Sequence, residues 1–445
     1  MKLIETLKNI WKIEDLRKRL ITTLMFIVIY RFGCHVVLPG INPSDLEAMR
    51  NFTNSGLMQL LDMFSGGAFG QASIFALGIM PYITASIVIQ LLGMVLPSFQ
   101  KMQREGESGR TKLNQYTRYL TVAILLVQAP AYLMNLQYQV NAAGGQAHIS
   151  GWTMAYLSIV LTAGAMLIMW LGEKITDKGI GNGISIIILV GILARFPGAI
   201  VQEFTSRLNT AQGGLVMFLV EIVILFAVTA GAVMLTQGTR KVPVQYAKRI
   251  VGNKQYGGAR QYIPLKVNAA NVMPIIFAQA LMFIPITLAG FGARQSEAGF
   301  LGTISRTFGD MNGFWYNVVY FIMIVAFTYF YTAITVRPTQ MAEEMKKNSG
   351  FIPGIKPGKK TAEYLDSIMS RITLPGSIFL GIVAILPAFA RYFGVNQQFA
   401  QFFGGTSLLI TVGVVLDTLQ QIETHLMMHH YDGLMKSGKI KGRTH

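Results

Sequence analysis

Two histidines, His425 and His429, stand four residues apart near the end of the chain. That spacing puts both imidazoles on one helix face and could hold a metal ion. The tail around them is polar and basic, so a solvated helix face accounts for the pair without a metal. The run Gly179-Ile180-Gly181-Asn182-Gly183 has the glycines of a phosphate cradle but no strand before it. Neither H-E-x-x-H, nor G-x-S-x-G, nor a Walker lysine loop occurs. No catalytic residue, metal or cofactor is therefore expected, and energy for any work must come from outside the chain. Two ionisable residues, Arg31 and Glu221, fall inside apolar runs. Arg31 can reach an interface along its long stem. Glu221 reads either as an ion site or as an interfacial carboxylate. One further spacing carries chemistry of a different kind. Ile79 and Ile83 are i, i+4 and share a helix face.

The elements that must position these residues are membrane spans. The chain has 445 residues, 52% hydrophobic and only 13% charged, against about a quarter charged in soluble domains. Apolar stretches of spanning length, about 20 residues, lie near 20–38, 72–97, 116–138, 151–172, 180–203, 214–236, 270–291, 314–336, 372–392 and 403–423. The stretch 57–70 is apolar but too short, and Ser65-Gly66-Gly67 breaks its helix, so it reads as re-entrant or interfacial. The basic N-terminus resembles a signal peptide, but no small-residue cleavage site follows, so the first stretch reads as a retained span. The one cysteine, Cys34, rules out an internal disulfide.

Charge orients the spans. Thirty of the 38 Lys and Arg fall before the first span, in alternate loops or in the tail. The opposite side holds Arg50, Arg207, Arg294, Arg306 and Arg391, with Arg195 near its edge. The positive-inside rule places the thirty, and both termini, in the cytoplasm. It also explains much of the net charge of +17 without nucleic acid. Two cytoplasmic loops, 237–269 and 337–371, carry seven basic residues each and are expected to project into water. Topology needs only a few charges, so their length favours docking to something acidic.

Seven runs, in order, resemble the SecY family of protein-conducting channels, and its bacterial members most. They are FSGGA at 64–68 followed by ASIFALGIMPYITASIVIQLL at 72–92, EGESGR at 105–110 with QYTRY at 115–119, MWLGEKITDKGIGNGIS at 169–185, YAKR at 246–249, PLKVN at 264–268, FIPGIKPG at 351–358 and GGTSLLI at 404–410. The resemblance implies an all-α polytopic fold of about ten helices in two inverted halves, 1–213 and 214–423, with a tail at 424–445. It implies a waist ring at Ile79, Ile83, Ile188, Ile276 and Ile410. It implies a plug at 57–70, carried by Met58, Leu61, Met63, Phe64, Ser65, Gly66 and Gly67. Thr84, Gln128 and Asn268, each on a different helix, match the lateral gate. Lys248, Arg249 and Lys356 match the loops that bind the SecA motor and the ribosome. Lys356 departs from the family's usual Arg, which keeps the charge but loses the planar fork. The implied function is conduction of unfolded preproteins and sideways release of apolar segments into lipid, without enzymatic activity. The implied partners are SecE, SecG, SecA, a translating ribosome, preproteins with their signal sequences, and a second copy of the chain. The implied location is the bacterial cytoplasmic (inner) membrane. A secondary transporter is the rival reading. It would need more ionisable groups at mid-membrane than this chain has.

Overall fold

The chain is described from a computed structural model, for residues 11, 13–41, 62–142, 151–209, 214–246, 249–251, 254–256, 260–270, 272–279, 281–282 and 313–436. Each of the ten expected stretches carries helix among these residues. In chain order the helices are α1 (Glu14–Cys34), α2 (Met80–Val95), α3 (Pro97–Arg104), α4 (Glu107–Ala142), α5 (Gly151–Lys178), α6 (Gly183–Asn209) and α7 (Gly214–Gln237). Helical residues 273–279 and 281–282 follow. Then come α8 (Phe314–Thr335), α9 (Pro338–Lys347), α10 (Lys359–Tyr392), α11 (Gln397–Ala400) and α12 (Gly405–Lys436). Seven described helices are long and apolar enough to cross a membrane, or eight if α2 and α3, bent by 103°, count as one crossing. α1 falls outside that count, since Arg17, Lys18, Arg19 and Arg31 are part of it. Pro130, Pro197, Pro375 and Pro387 lie within helices, as membrane helices tolerate.

The chain divides into two compact units, Met1–Val201 with Val414–His445, and Gln202–Gly413. In the first unit, α4 and α5 pack through Ala129, Tyr132, Leu133, Leu136, Val140, Leu157 and Leu161. Phe69, Ala72 and Ala76 of the segment ahead of α2 belong to the same core. That segment is where structure and expectation part. Within the expected span 72–97, helix runs over Met80–Val95 and resumes at Pro97, and residues 65–79 run as turns apart from an isolated β-bridge between Ser73 and Val37. Pro81 suits a helix's first turn. Upstream, Gly78 at φ +58° and Ala72 at φ +44° break any helix.

In the second unit the two long loops do not simply project into water. They fold together. β1 (Thr239–Tyr246) pairs antiparallel with β4 (Arg260–Lys266) on one edge and with β5 (Gly350–Phe351) on the other. β2 (Arg249–Val251) and β3 (Lys254–Tyr256) make a separate hairpin. Val242, Val244, Leu265, Met345, Ile352, Leu365 and Met369 form one core beneath the larger sheet, drawn from both loops and from α9 and α10.

Candidate functional site

The glycine turn at 65–67 is tied by hydrogen bonds from within its own segment and from three helices. Ser65 Oγ donates to the Asp62 carbonyl at 3.1 Å and accepts the Phe69 N–H at 3.0 Å. Asp62 is buried. Its Oδ1 accepts the Gly70 N–H at 2.7 Å, and its carboxylate pairs with Arg195 of α6. α1 reaches the same turn. Tyr30 donates to the Ser65 carbonyl at 3.2 Å, and Arg31 Nη1 donates to the Gly66 carbonyl at 2.9 Å. Tyr132 of α4 donates to the Phe69 carbonyl at 2.8 Å. Gly66 and Gly67 have φ of +67° and +94°. A Cβ on Gly66 would stand 2.9 Å from Arg31 Nη1 and 3.0 Å from Gly191 Cα. Only glycine fits that conformation and that approach. Gly191 is the reciprocal requirement, since a Cβ there would meet the Phe64 carbonyl oxygen at 2.9 Å.

Of the plug positions, Met63, Phe64, Ser65, Gly66 and Gly67 are buried here. Met58 and Leu61 lie outside the described residues. Residues 62–64 are helical and the chain turns from 65 onward, as the Ser-Gly-Gly sequence predicts. Arg31, whose long stem could reach an interface, binds the turn. Asp62 and its pairing with Arg195 had no signal in the sequence, because the partners are far apart along the chain.

Ile79, Ile83 and Ile188 belong to the first unit. Ile79 is the residue just before α2, Ile83 accompanies it one turn on, and Ile188 stands in α6. All three are buried. In the second unit Ile276 is half-buried and Ile410 buried. The helices carrying these two press together at small side chains. A Cβ on Gly413 would collide with Val272 Cγ2. Val272 is one turn from Ile276 and Gly413 one turn from Ile410, so each isoleucine shares the helix face of that contact.

Thr84 is half-buried, and its Oγ1 donates to the Met80 carbonyl at 3.1 Å. Gln128 is half-buried in α4, two residues before Pro130. Asn268 is buried, but it lies on the turn 267–270 rather than on a helix. That turn is fixed by Val267 N–H donating to the Gly238 carbonyl at 2.9 Å, and by the close approach of α10, where a Cβ on Gly376 would stand 3.1 Å from the Val267 carbonyl oxygen.

Arg249 lies in β2, and Lys248 is outside the described residues. Lys356 is exposed on a loop whose shape is set on both sides. Ile355 packs on the sheet core, and Thr361 Oγ1 donates to the Lys356 carbonyl at 3.0 Å. Arg240, Lys241, Lys346, Lys347, Lys359 and Lys360 are exposed around the same platform.

Glu221 is neither a lone mid-membrane ion site nor a free interfacial carboxylate. Arg207 Nη2 donates to its Oε1 at 2.5 Å, and Arg207 Nε donates to Glu203 Oε1 at 2.9 Å. Glu203 also accepts the Asn396 N–H at 2.8 Å. All three side chains are almost wholly buried, beside a run of aromatic contacts through Phe204, Phe218, Phe399 and Phe403. The cluster ties α6 and α7 to the connection between α10 and α11. The glycine run at 179–183 is likewise structural. Gly181 N–H donates to Gln421 Oε1 at 2.8 Å, Ile180 N–H to Thr23 Oγ1 at 3.1 Å, and Gly183 N–H to Thr176 Oγ1 at 2.9 Å. Those N–H groups are therefore engaged within the protein and not offered to a phosphate.

The SecY family model matches residues 73–419. The protein translocase subunit SecY of Streptomyces griseus is 45% identical over 96% of this chain and 98% of its own length. Among solved structures, one of a SecY protein, whose plug domain is described as stabilising the closed state of the translocation channel and maintaining a membrane seal, aligns at TM-score 0.60. It is 19% identical and covers 92% of both chains. Sec61 in a canine ribosome–channel complex aligns at TM-score 0.55, with 19% identity and 92% of both chains covered. At that identity these two likenesses speak for the fold.

Proposed function

The chain belongs to the SecY family, and from that premise we propose how its residues divide the labour of a protein-conducting channel. It is a multi-pass membrane protein and the channel subunit of a Sec translocase, a pore without catalysis of its own. Two halves, 1–213 and 214–423, surround the path, and the tail 424–445 lies in the cytoplasm with the N-terminus. Ile79, Ile83, Ile188, Ile276 and Ile410 form the waist. Branched apolar side chains offer ions no ligand and can gate by dewetting. They also make no sequence-specific hydrogen bonds, so they yield around any unfolded chain. The segment 57–70 is the plug, and its described part is 62–70. Thr84, Gln128 and Asn268 line the seam through which signal sequences and apolar segments pass into lipid. Hydrogen bonds between membrane helices are worth only about 1 kcal/mol, which suits a seam that must open.

The platform built from 237–269 and 337–371 is the docking face for the SecA motor and for the ribosome. The likeness to a ribosome-bound channel supports this, as do the exposed cations around a folded core. SecE and SecG are the small membrane partners, and a second copy of the chain is a further one. The protein resides in the bacterial cytoplasmic (inner) membrane.

The observation that carries the reading is the segment 62–70. It is buried throughout, and after three helical residues at 62–64 it runs as turns rather than spanning, within the stretch where the resemblance puts the plug. The test is reconstitution of this chain with SecE and SecG in vesicles, then addition of SecA, ATP and an unfolded preprotein. Protease protection that requires ATP is expected. No protection, with SecA active on another translocon, would overturn it.

A further inference from the structure

We propose that Asp62, Arg195 and Arg31 form a charge clasp that holds the 62–70 turn in its seat and sets how firmly the channel rests closed. The proposal rests on the channel reading above.

The turn has little regular structure of its own. Its seat is made by polar bonds from three helices, and the two arginines grip it from different sides. Arg31 of α1 takes the Gly66 carbonyl at 2.9 Å. Arg195 of α6 takes the Asp62 carboxylate, and its guanidinium stands 3.2 Å from where a Gly67 Cβ would be. The Asp62 carboxylate also carries the Gly70 N–H at 2.7 Å. One carboxylate thus links the two ends of the turn to a neighbouring helix. Losing its charge loosens the turn internally as well as from α6.

Exposure makes the clasp releasable. The Asp62 side chain is 8% exposed, but that of Arg195 is 36% exposed. In the water-filled path of the channel reading, water can replace the arginine's partner as the pair parts, which keeps the net cost of separation small. A seat made only of apolar contacts would offer no such exchange. The same partial exposure puts the pair within reach of dissolved salt, which screens it.

The test reads the leak of a small anion from vesicles holding the translocon, with no preprotein added, across a range of salt concentrations. Asp62→Asn keeps an acceptor for the Gly70 N–H and removes only the charge. It should raise the leak about tenfold, which corresponds to about 1.4 kcal/mol. Arg195→Gln should do the same, and Arg195→Lys, which keeps the charge, should stay close to the parent. Leak through the parent should rise with salt, while leak through Asp62→Asn should be flat. Equal leak in parent, Asp62→Asn and Arg195→Gln would overturn the clasp, as would an Arg195→Lys channel as leaky as Arg195→Gln. ATP-driven preprotein protection, scored in the same vesicles, separates the two readings. Parent protection with an unmoved leak discards the clasp and leaves the channel. No parent protection discards both.

Discussion

Two carboxylate–guanidinium sites in this protein use the same chemistry to opposite ends. At Glu203, Arg207 and Glu221, the three side chains are at most 6% exposed and sit on two long helices. At Asp62 and Arg195, the carboxylate sits on three helical residues that lead straight into a glycine turn, and the arginine is 36% exposed. Desolvated ions held on helices have no water to fall back on, so breaking one partner strands the others. An ion pair that water can reach exchanges partners at little cost. The first site reads as a permanent tie and the second as a catch. What separates them is access for water and the stiffness of the backbone behind each group.

The largest effect should come from removing the centre of the permanent tie. Arg207→Leu leaves two buried carboxylates and should cost about 3–5 kcal/mol. This would be read as a lowered unfolding midpoint of the detergent-solubilised protein. A midpoint no lower than that of Asp62→Asn would erase the distinction between the sites. Next comes steric pressure on the catch. Gly191→Ala pushes a methyl to 2.9 Å from the Phe64 carbonyl oxygen. It should cost about 1–3 kcal/mol as overpacking, spent on unseating the turn. The expected reading is faster labelling of a cysteine placed at Ser65, with the unfolding midpoint little changed. Unchanged labelling would show that the turn does not depend on that close approach.

A smaller effect belongs to the seam. Replacing Thr84, Gln128 and Asn268 with apolar residues together should shift the hydrophobicity threshold for membrane insertion by about 1 kcal/mol per hydrogen bond lost. An unmoved threshold would remove these residues from the gate. The smallest effect on stability should be at Lys356, exposed and outside both sites. Lys356→Glu should leave the unfolding midpoint alone but slow motor-dependent translocation more than Lys356→Arg does. Equal rates would deny its charge a role.

The spans were legible because lipid imposes a simple rule: long apolar runs with charges kept between them. The break at Ser65-Gly66-Gly67 was legible because glycines at that density cannot continue a helix. The ion pairs were not, since Asp62–Arg195 and Arg207–Glu221 are made by tertiary packing and leave no local pattern. Arg31 looked like a residue reaching for an interface because a sequence shows the length of a stem but not the carbonyl at its end. The sheet in the loops was also hidden. Val242 and Val244 alternate for only two positions, and Pro243 between them argues against a strand. β5 pairs with β1 only at Gln245 and Tyr246, so at Pro243 one edge of the strand needs no N–H.

β1 holds β4 along one edge and β5 on the other, so two chain segments about a hundred residues apart share a single spine. A partner landing on either segment meets a stamp already cut, and spends little entropy in shaping it. Force applied to one segment must also travel to the other through Val242, Val244 and Ile352. This face of the protein then works as one lever rather than as two independent handles.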